Sequence, residues 1–310
     1  MKRILALAGL FAFMLLAPVL SAQDASTDPL RPLAWQIALD REGFSPGLLD
    51  NKPGMKTSMA LADFLASRSL PNGGTPENYQ QAAKSLGLGD FPTTTSYTIT
   101  SDDVARVTGP LPKSWLAKSK MAYLGHASLA EAVAERFHCA QQLLADLNPG
   151  ISLGAIKEGD SLVVPNVQKP LLPAIDRLEI NLTEKAIRGF DRAGRKLLLF
   201  HCSIAKHEEK RPTGSTAVVT IGFDPVYRFD PAMWPEVKGI NQILMIPPGP
   251  KNPVGMCWVG LGLKGYGMHG TPNPEMIGKT GSHGCFRLTN WDAVRLGQAV
   301  RVGTPVKFVY

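Results

Sequence analysis

Apolar residues recur at helical spacing in the first part of the chain. The segment LAWQIALDREGF, residues 33–44, predicts a helix that ends at Gly43. A turn-rich loop, FSPGLLDNKPG, follows, and Thr57 opens a second predicted helix whose apolar residues share one face. A third helix is predicted after Thr75, because the proline that follows it suits the first helical position. Residues 32–87 therefore predict a small three-helix domain.

The pattern changes twice in the middle of the chain. Residues 88–120 are rich in Thr, Ser and Pro, with one strand-like patch, SYTIT, and predict a partly ordered linker. Beyond it, MAYLGHA is the predicted first strand of a new unit. Ser128 and Glu131 form a capping box at the start of an apolar helical stripe. A second helix, AQQLLADLN, and a strand, SLVVP, follow, so residues 121–167 predict a small βααβ module.

Apolar and polar positions alternate in the last part of the chain. The segments RLEINL, KLLLFHCSIA, STAVVTIGF, MCWVGLGL and PVKFVY each predict a strand, and the turn at Asp191–Gly194 predicts a hairpin. One helix, WDAVRLGQAV, is predicted after Asn290, whose side chain suits the N-cap. Residues 174–310 therefore predict a mostly β domain with one late helix, and the whole chain is predicted to be multidomain.

The N-terminus predicts export. Lys2 and Arg3 precede an apolar run over residues 4–20, and small residues follow up to Ala22. This is the layout of a secretory signal peptide, predicted here over residues 1–22, and the alternative is a membrane anchor. Cleavage would leave no stable membrane anchor, and we expect the protein in the periplasm or the cell wall.

Charge and composition limit the partners. The formal net charge is +7, of which two charges come from Lys2 and Arg3, so the chain without them carries +5. A mildly basic surface suits an anionic polymer. The sequence has no block of Lys and Arg interleaved with aromatic residues, and a nucleic-acid partner is not expected.

The four cysteines are widely and irregularly spaced, without a CxxC pair. An exported compartment permits disulfides, and Cys202–Cys257 is the predicted pair because both lie in strand-like segments of one domain. The alternative is that Cys139, Cys202 and Cys257 are buried thiols.

Two glycine-rich segments carry the candidate chemistry: GYGMHGTP, with His269, and GSHGCFR, with Ser282, His283, Cys285 and Arg287. The two histidines and the cysteine could in principle bind zinc, although the spacing is tight and no fourth ligand is evident. The cysteine could also be half of a disulfide or a buried thiol. As a nucleophile it would need an imidazole to take its proton and backbone N–H groups to stabilise an oxyanion. The residues alone do not decide which histidine is the base.

The order HGTP, then SHGCFRL, resembles the L,D-transpeptidase (YkuD-type) catalytic domain, whose signature is HG…SHGC-x-R. The similarity extends to RPTG at 211–214 and NPVG at 252–255. It implies a mostly β, sandwich-like domain with the cysteine at the mouth of a cleft. It also implies roles for seven residues. Cys285 would be the nucleophile and His269 the activating imidazole, which the Gly270 carbonyl orients. The backbone amides of His283, Gly284 and Cys285 would form the oxyanion hole, Ser282 would hold the loop, and Arg287 would position a carboxylate or the loop.

The two earlier units also resemble wall-binding modules. The strand–helix–helix–strand pattern is similar to a LysM module, which binds N-acetylglucosamine-containing glycans. The helix–GFSPGLLD–helix layout is similar to a small helical peptidoglycan-binding domain, although Asn51, Lys52 and Pro53 depart from that family's pattern.

These resemblances imply an exported peptidoglycan L,D-transpeptidase. Its cysteine would take an acyl group from a tetrapeptide stem with release of D-Ala and pass it to an amine, giving 3–3 cross-links. The implied partner is peptidoglycan, bound as stem peptide by the catalytic domain and as glycan by the LysM-like module. Neither a cofactor nor a metal is implied. The alternatives are an L,D-carboxypeptidase, a lipoprotein-anchoring transpeptidase and a non-catalytic wall-binding protein.

Overall fold

A computed structural model of the chain describes residues 32–52, 54–71, 76–168, 170–234 and 237–310. The predicted signal peptide, residues 1–22, lies outside these residues. Among the helices described, none combines the length and apolar character needed to cross a bilayer.

The described residues form helices and strands in the following order. The helices are α1 (Pro32–Arg41), α2 (Met55–Ser67), α3 (Pro76–Ser85), α4 (Ser101–Ala105), α5 (Trp115–Lys118), α6 (Leu129–Arg136), α7 (Gln141–Leu147) and α8 (Asn290–Ala299). The strands are β1 (Thr94–Thr98), β2 (Ser161–Pro165), β3 (Arg177–Asn181), β4 (Ala186–Phe190), β5 (Lys196–His201), β6 (Ser215–Phe223), β7 (Tyr227–Phe229), β8 (Leu244–Ile246), β9 (Cys257–Leu261), β10 (Gly267–His269), β11 (Phe286–Arg287) and β12 (Pro305–Val309).

Helices α1 to α3 share a hydrophobic core with the C-terminal sheet, and α2 packs directly on β5. Phe64 of α2 is fully buried, and its ring meets the edge of Phe44 at a centroid distance of 5.6 Å. The same core contains Ala186 of β4 and Leu199 of β5, and Phe44 forms a backbone bridge with Leu199. Phe44, Ser45 and Leu49 of the GFSPGLLD loop are buried, which leaves these three side chains inaccessible to a glycan. The assignment of this unit as a peptidoglycan-binding domain stays a prediction.

The middle unit is closed by a strand that lies in the segment predicted as a linker. Strand β1 pairs antiparallel with β2, with Tyr97 opposite Leu162. Tyr97 also packs against Phe137 at a centroid distance of 4.8 Å, so the SYTIT patch supplies an apolar wall of this core. Helices α4 and α5 also fall within the predicted linker, 88–120, while MAYLGHA forms no strand. The strand predicted for MAYLGHA is therefore wrong, whereas the strand-like patch at SYTIT forms β1. The bounds of the linker and the LysM-like assignment stay predictions.

The C-terminal region is built on one eight-stranded sheet in the order β11-β10-β9-β6-β12-β3-β4-β5. Its two edges meet, because Ser203, just after β5, exchanges two backbone hydrogen bonds of 2.8 and 3.0 Å with Arg287 of β11. The sheet therefore curls and closes on itself, where the sequence analysis expected a sandwich-like arrangement. Helix α8 is capped by Thr289, whose hydroxyl accepts the Asp292 N–H, and not by Asn290 as predicted.

A buried polar cluster joins the three parts of the chain. Asp40 of α1 contacts His138 of the middle unit (Oδ2 to Nδ1, 2.9 Å) and Arg295 of α8 (Oδ1 to Nη1, 3.4 Å). The Ser45 hydroxyl donates to Asp292 Oδ2 at 2.8 Å. Burial, with a further contribution from the Asp40 charge, raises the pKa of Asp292 to about 7.

The predicted disulfide is wrong: Cys202 and Cys257 are free, buried thiols of the same core. Cys257 packs as a small apolar side chain against α8, so tightly that a Cβ at Gly297 would lie 2.6 Å from its Sγ. Burial raises the pKa of both thiols to about 12, which keeps them protonated and inert.

Candidate active site

Two short parallel strands bring the glycine-rich segments together. In the register of β10 with β11, His269 lies opposite Arg287 and Met268 opposite Phe286. Cys285 directly precedes β11, two residues before Arg287. Because side chains alternate along a strand, Arg287 and His269 share one face of the sheet, and the Arg287 charge affects the pKa of both His269 and Cys285. The predicted nucleophile and base are therefore both close to one guanidinium.

The His269 imidazole is fixed in one tautomer. Its ring is buried, and Nδ1 lies 2.7 Å from the Gly270 carbonyl oxygen. A carbonyl only accepts hydrogen bonds, so Nδ1 carries the proton and Nε2 has the lone pair. Burial lowers the pKa of His269 to about 4, while the Gly270 bond acts in the opposite direction. The ring also stacks on Trp258 at a centroid distance of 5.6 Å.

The Cys285 thiol is partly buried and donates to the Gly265 carbonyl, with Sγ to O at 3.3 Å. Burial raises the pKa of Cys285, and the Gly267 backbone and the Arg287 charge oppose that shift. Burial therefore favours the neutral form of both the thiol and the imidazole. We expect proton transfer from sulfur to accompany attack on a substrate.

Ser282 fastens the nucleophile loop. Its hydroxyl donates to the Cys285 carbonyl at 2.5 Å and accepts the Gly284 N–H at 3.2 Å. Gly284 was predicted as an oxyanion-hole donor, but its N–H is already engaged within the loop. Among the described residues, no acceptor is bonded to the Cys285 N–H, which makes this amide the better placed donor for an oxyanion.

Arg287 and His283 flank the thiol in the sequence, and their side chains have different contacts. The Arg287 guanidinium donates to the Gly281 carbonyl and so braces the loop, while its charge remains close enough to Cys285 for each to affect the other's pKa. His283 is exposed, with its ring edge-on to Trp234 at 4.4 Å. Within the part of the chain that the structure describes, no group of three or more His, Cys, Asp or Glu side chains converges on a metal-sized site.

Several residues around the site carried no local sequence signal. Tyr227 on β7 accepts the Trp234 indole N–H at 3.0 Å, and burial together with the nearby Cys285 raises the pKa of its hydroxyl. The Tyr227 hydroxyl therefore lies within electrostatic range of the nucleophile. From the first unit, the Lys56 ammonium donates to the Ile277 carbonyl at 2.7 Å, on the segment between the two glycine-rich motifs.

The C-terminal region is similar to known proteins. Residues 175–308 match the family model YkuD, the L,D-transpeptidase catalytic domain. One relative is a Bacillus licheniformis protein named as an L,D-transpeptidase, YkuD. It is 29% identical over 177 residues, which cover 57% of this chain and 90% of the relative. The probable L,D-transpeptidase YbiS of Escherichia coli is 27% identical over 190 residues, or 60% of this chain and 61% of the relative, so the alignment spans less than two thirds of YbiS.

Solved structures show weaker similarity. The structure of L,D-transpeptidase 3 from Mycobacterium tuberculosis, in complex with a faropenem-derived adduct, is 16% identical with a TM-score of 0.35. It covers 50% of this chain and 76% of that one. On the family model and the sequence relatives, residues 175–308 match the catalytic domain of the YkuD-type L,D-transpeptidases.

Proposed function

We propose that this chain is an exported peptidoglycan L,D-transpeptidase that uses Cys285 as its nucleophile and forms 3–3 cross-links. The observation that carries the proposal is the pairing of β10 with β11, which sets His269, a neutral imidazole of fixed tautomer, opposite Arg287, two residues along the chain from the Cys285 thiol. The family match and the names of the relatives support the reaction class, and L,D-transpeptidases act on peptidoglycan. Export rests on the pattern of residues 1–22.

In the first step, Cys285 Sγ attacks the carbonyl carbon at the L-centre of the diamino-acid residue in a tetrapeptide stem. His269 Nε2 takes the thiol proton as the S–C bond forms, and the Gly270 carbonyl stabilises the imidazolium through Nδ1–H. The Cys285 N–H donates to the developing oxyanion. When the C–N bond to D-Ala breaks, His269 returns the proton to the leaving amine, and a thioester remains on Cys285.

In the second step, an amine of a neighbouring stem attacks the thioester carbonyl. His269 accepts a proton from that amine, the C–S bond breaks, and the proton passes to the sulfur, so that the free thiol is restored. The products are one amide cross-link and one D-Ala per cycle, with no oxidant or metal required by the electron balance. Arg287 is the cation beside the nucleophile, and we assign it the attraction of the stem carboxylate.

Incubation of the purified protein with disaccharide-tetrapeptide, followed by mass analysis of the products, tests the proposal. Wild type should give 3–3 dimers and free D-Ala, whereas Cys285→Ala and His269→Ala should give neither. Cys139→Ala is the matched control, because that thiol is buried in the middle unit. Monomeric tripeptide as the sole product would identify water as the acceptor, and binding without any product would identify a non-catalytic wall protein. Dimers formed by Cys285→Ala would refute the mechanism.

A further inference from the structure

Helix α6 of the middle unit reaches the catalytic region through two carboxylates. Glu131 and Glu135 are four residues apart and therefore lie on one face of the helix. The Lys251 ammonium donates to Glu131 Oε1 at 2.5 Å, and the Asn290 amide donates to Glu135 Oε1 at 2.9 Å. Both acceptors belong to a part of the chain that the family match does not cover.

Asn290 lies against the backbone that orients the catalytic histidine. Its side chain is buried, its Nδ2 donates to the Pro250 carbonyl at 3.0 Å, and its Oδ1 accepts the Met256 N–H at 3.2 Å. A Cβ added at Gly270 would overlap Asn290 Oδ1. The Asn290 amide therefore limits where the Gly270 peptide can lie, and the Gly270 carbonyl holds His269 Nδ1.

Lys251 secures the other end of the same segment. Besides Glu131, its ammonium donates to the Pro272 carbonyl at 2.7 Å, two residues beyond Gly270. The Lys251 backbone N–H is also bonded to the Leu124 carbonyl of the middle unit at 3.0 Å. The segment from His269 to Pro272 is thus braced at two points, each of which leads back to a glutamate on α6.

We propose that Glu135 and Asn290 are positioning residues for His269, and that the middle unit thereby sets the orientation of the catalytic imidazole. This inference rests on the proposed function. Neither residue acts on substrate. Loss of the Glu135 acceptor leaves the Asn290 amide held only by the Pro250 carbonyl and the Met256 N–H. The Gly270 carbonyl is then less constrained, and the His269 ring is less firmly oriented.

The variants Glu135→Ala and Glu135→Gln, made in the full chain, separate positioning from a general effect on folding. A glutamine retains an Oε1 that accepts the Asn290 N–H, whereas alanine does not. Misplacement of a catalytic base lowers the rate, so we expect Glu135→Ala to reduce kcat by about tenfold. Because binding is not involved, KM should stay within about twofold of wild type. Glu135→Gln should restore kcat, and Glu158→Ala, at an exposed site of the same unit, should leave it unchanged.

A second readout needs no substrate. Histidine-selective ¹⁵N NMR should show His269 in the Nδ1–H tautomer in wild type and in Glu135→Gln, with that population reduced in Glu135→Ala. If wild type catalyses transfer but kcat and the tautomer are both unchanged in Glu135→Ala, the positioning role is overturned. If wild type catalyses no transfer while the tautomer still responds, the proposed function fails, and the link from α6 to His269 remains.

Discussion

Replacement of Phe64 by Ala should destabilise the C-terminal sheet, although Phe64 lies in an N-terminal helix. The ring is fully buried, meets Phe44 edge-on, and shares a core with Ala186 and Leu199 of the sheet. Truncation of a buried Phe to Ala costs about 3–5 kcal/mol, because the transfer free energy is lost and a cavity remains. If helices and sheet unfold together, that loss applies to both.

The buried thiols of the sheet report its unfolding. Cys202 and Cys257 have no exposed surface, so a thiol reagent modifies them only when the sheet opens. A loss of about 3–5 kcal/mol raises the population of the open state by roughly two to three and a half orders of magnitude. Peptide mass mapping along a urea series should therefore show both thiols modified at lower urea in Phe64→Ala.

Met55→Ala is the matched control, because Met55 is 82% exposed on the same helix, and its modification curve should overlie that of wild type. The reasoning is refuted if Phe64→Ala melts helical circular dichroism early while Cys202 and Cys257 keep wild-type protection. The N-terminal helices would then be an independent domain, as the sequence alone suggested.

Three further predictions concern titration and packing. Since the pKa of Cys285 is raised and that of His269 is about 4, alkylation of Cys285 by iodoacetamide should keep accelerating from pH 7 to pH 9, and a plateau reached by pH 6 would show a preformed thiolate. Asp292 has a folded pKa of about 7, above its ordinary value of 3.8, so folding favours its protonated form. The wild-type Tm should therefore fall relative to that of Asp292→Asn as the pH rises from about 4 to about 7, and parallel Tm profiles would contradict this. Replacement of Gly297 by Ala would stabilise a helix at an open site. Here it should instead lower the free energy of unfolding, measured by chemical denaturation, by about 1–3 kcal/mol, because the new Cβ meets Cys257 Sγ at 2.6 Å. An unchanged free energy of unfolding would show that the helix shifts freely.

The local sequence predicted individual strands and turns better than it predicted which strands pair with each other. The hairpin at Asp191–Gly194 follows from its turn residues, and β4 and β5 pair around it, with Gly194 at a φ of 82°. The pairing of β1 with β2 could not be predicted in the same way, because the strands are more than 60 residues apart and the first one lies in a Thr-rich stretch typical of a loop. Closure of the sheet at Ser203 is likewise a long-range contact without a local motif.

In the candidate site, too, the motif residues could be predicted from the sequence, whereas their contacts could not. The glycine-rich motifs contain the thiol, the imidazole and the arginine, and the pairing of β10 with β11 sets the imidazole and the arginine opposite each other. The role of Gly284 as an oxyanion donor stays a prediction: its N–H donates to the Ser282 hydroxyl, a contact set by backbone geometry that residue type does not reveal. Glu135 carried no signal, since an acidic residue on an amphipathic helix is ordinarily solvent-facing.

The most direct test of the central claim is the mass of the acyl-enzyme. The full chain is mixed with disaccharide-tetrapeptide, the reaction is quenched rapidly, and the protein is analysed by peptide mapping. One thioester should be found on Cys285, formed as one D-Ala is released. The adduct should form much more slowly in His269→Ala and should be absent in Cys285→Ala. D-Ala release without any adduct on Cys285, or an adduct on another residue, would contradict the account.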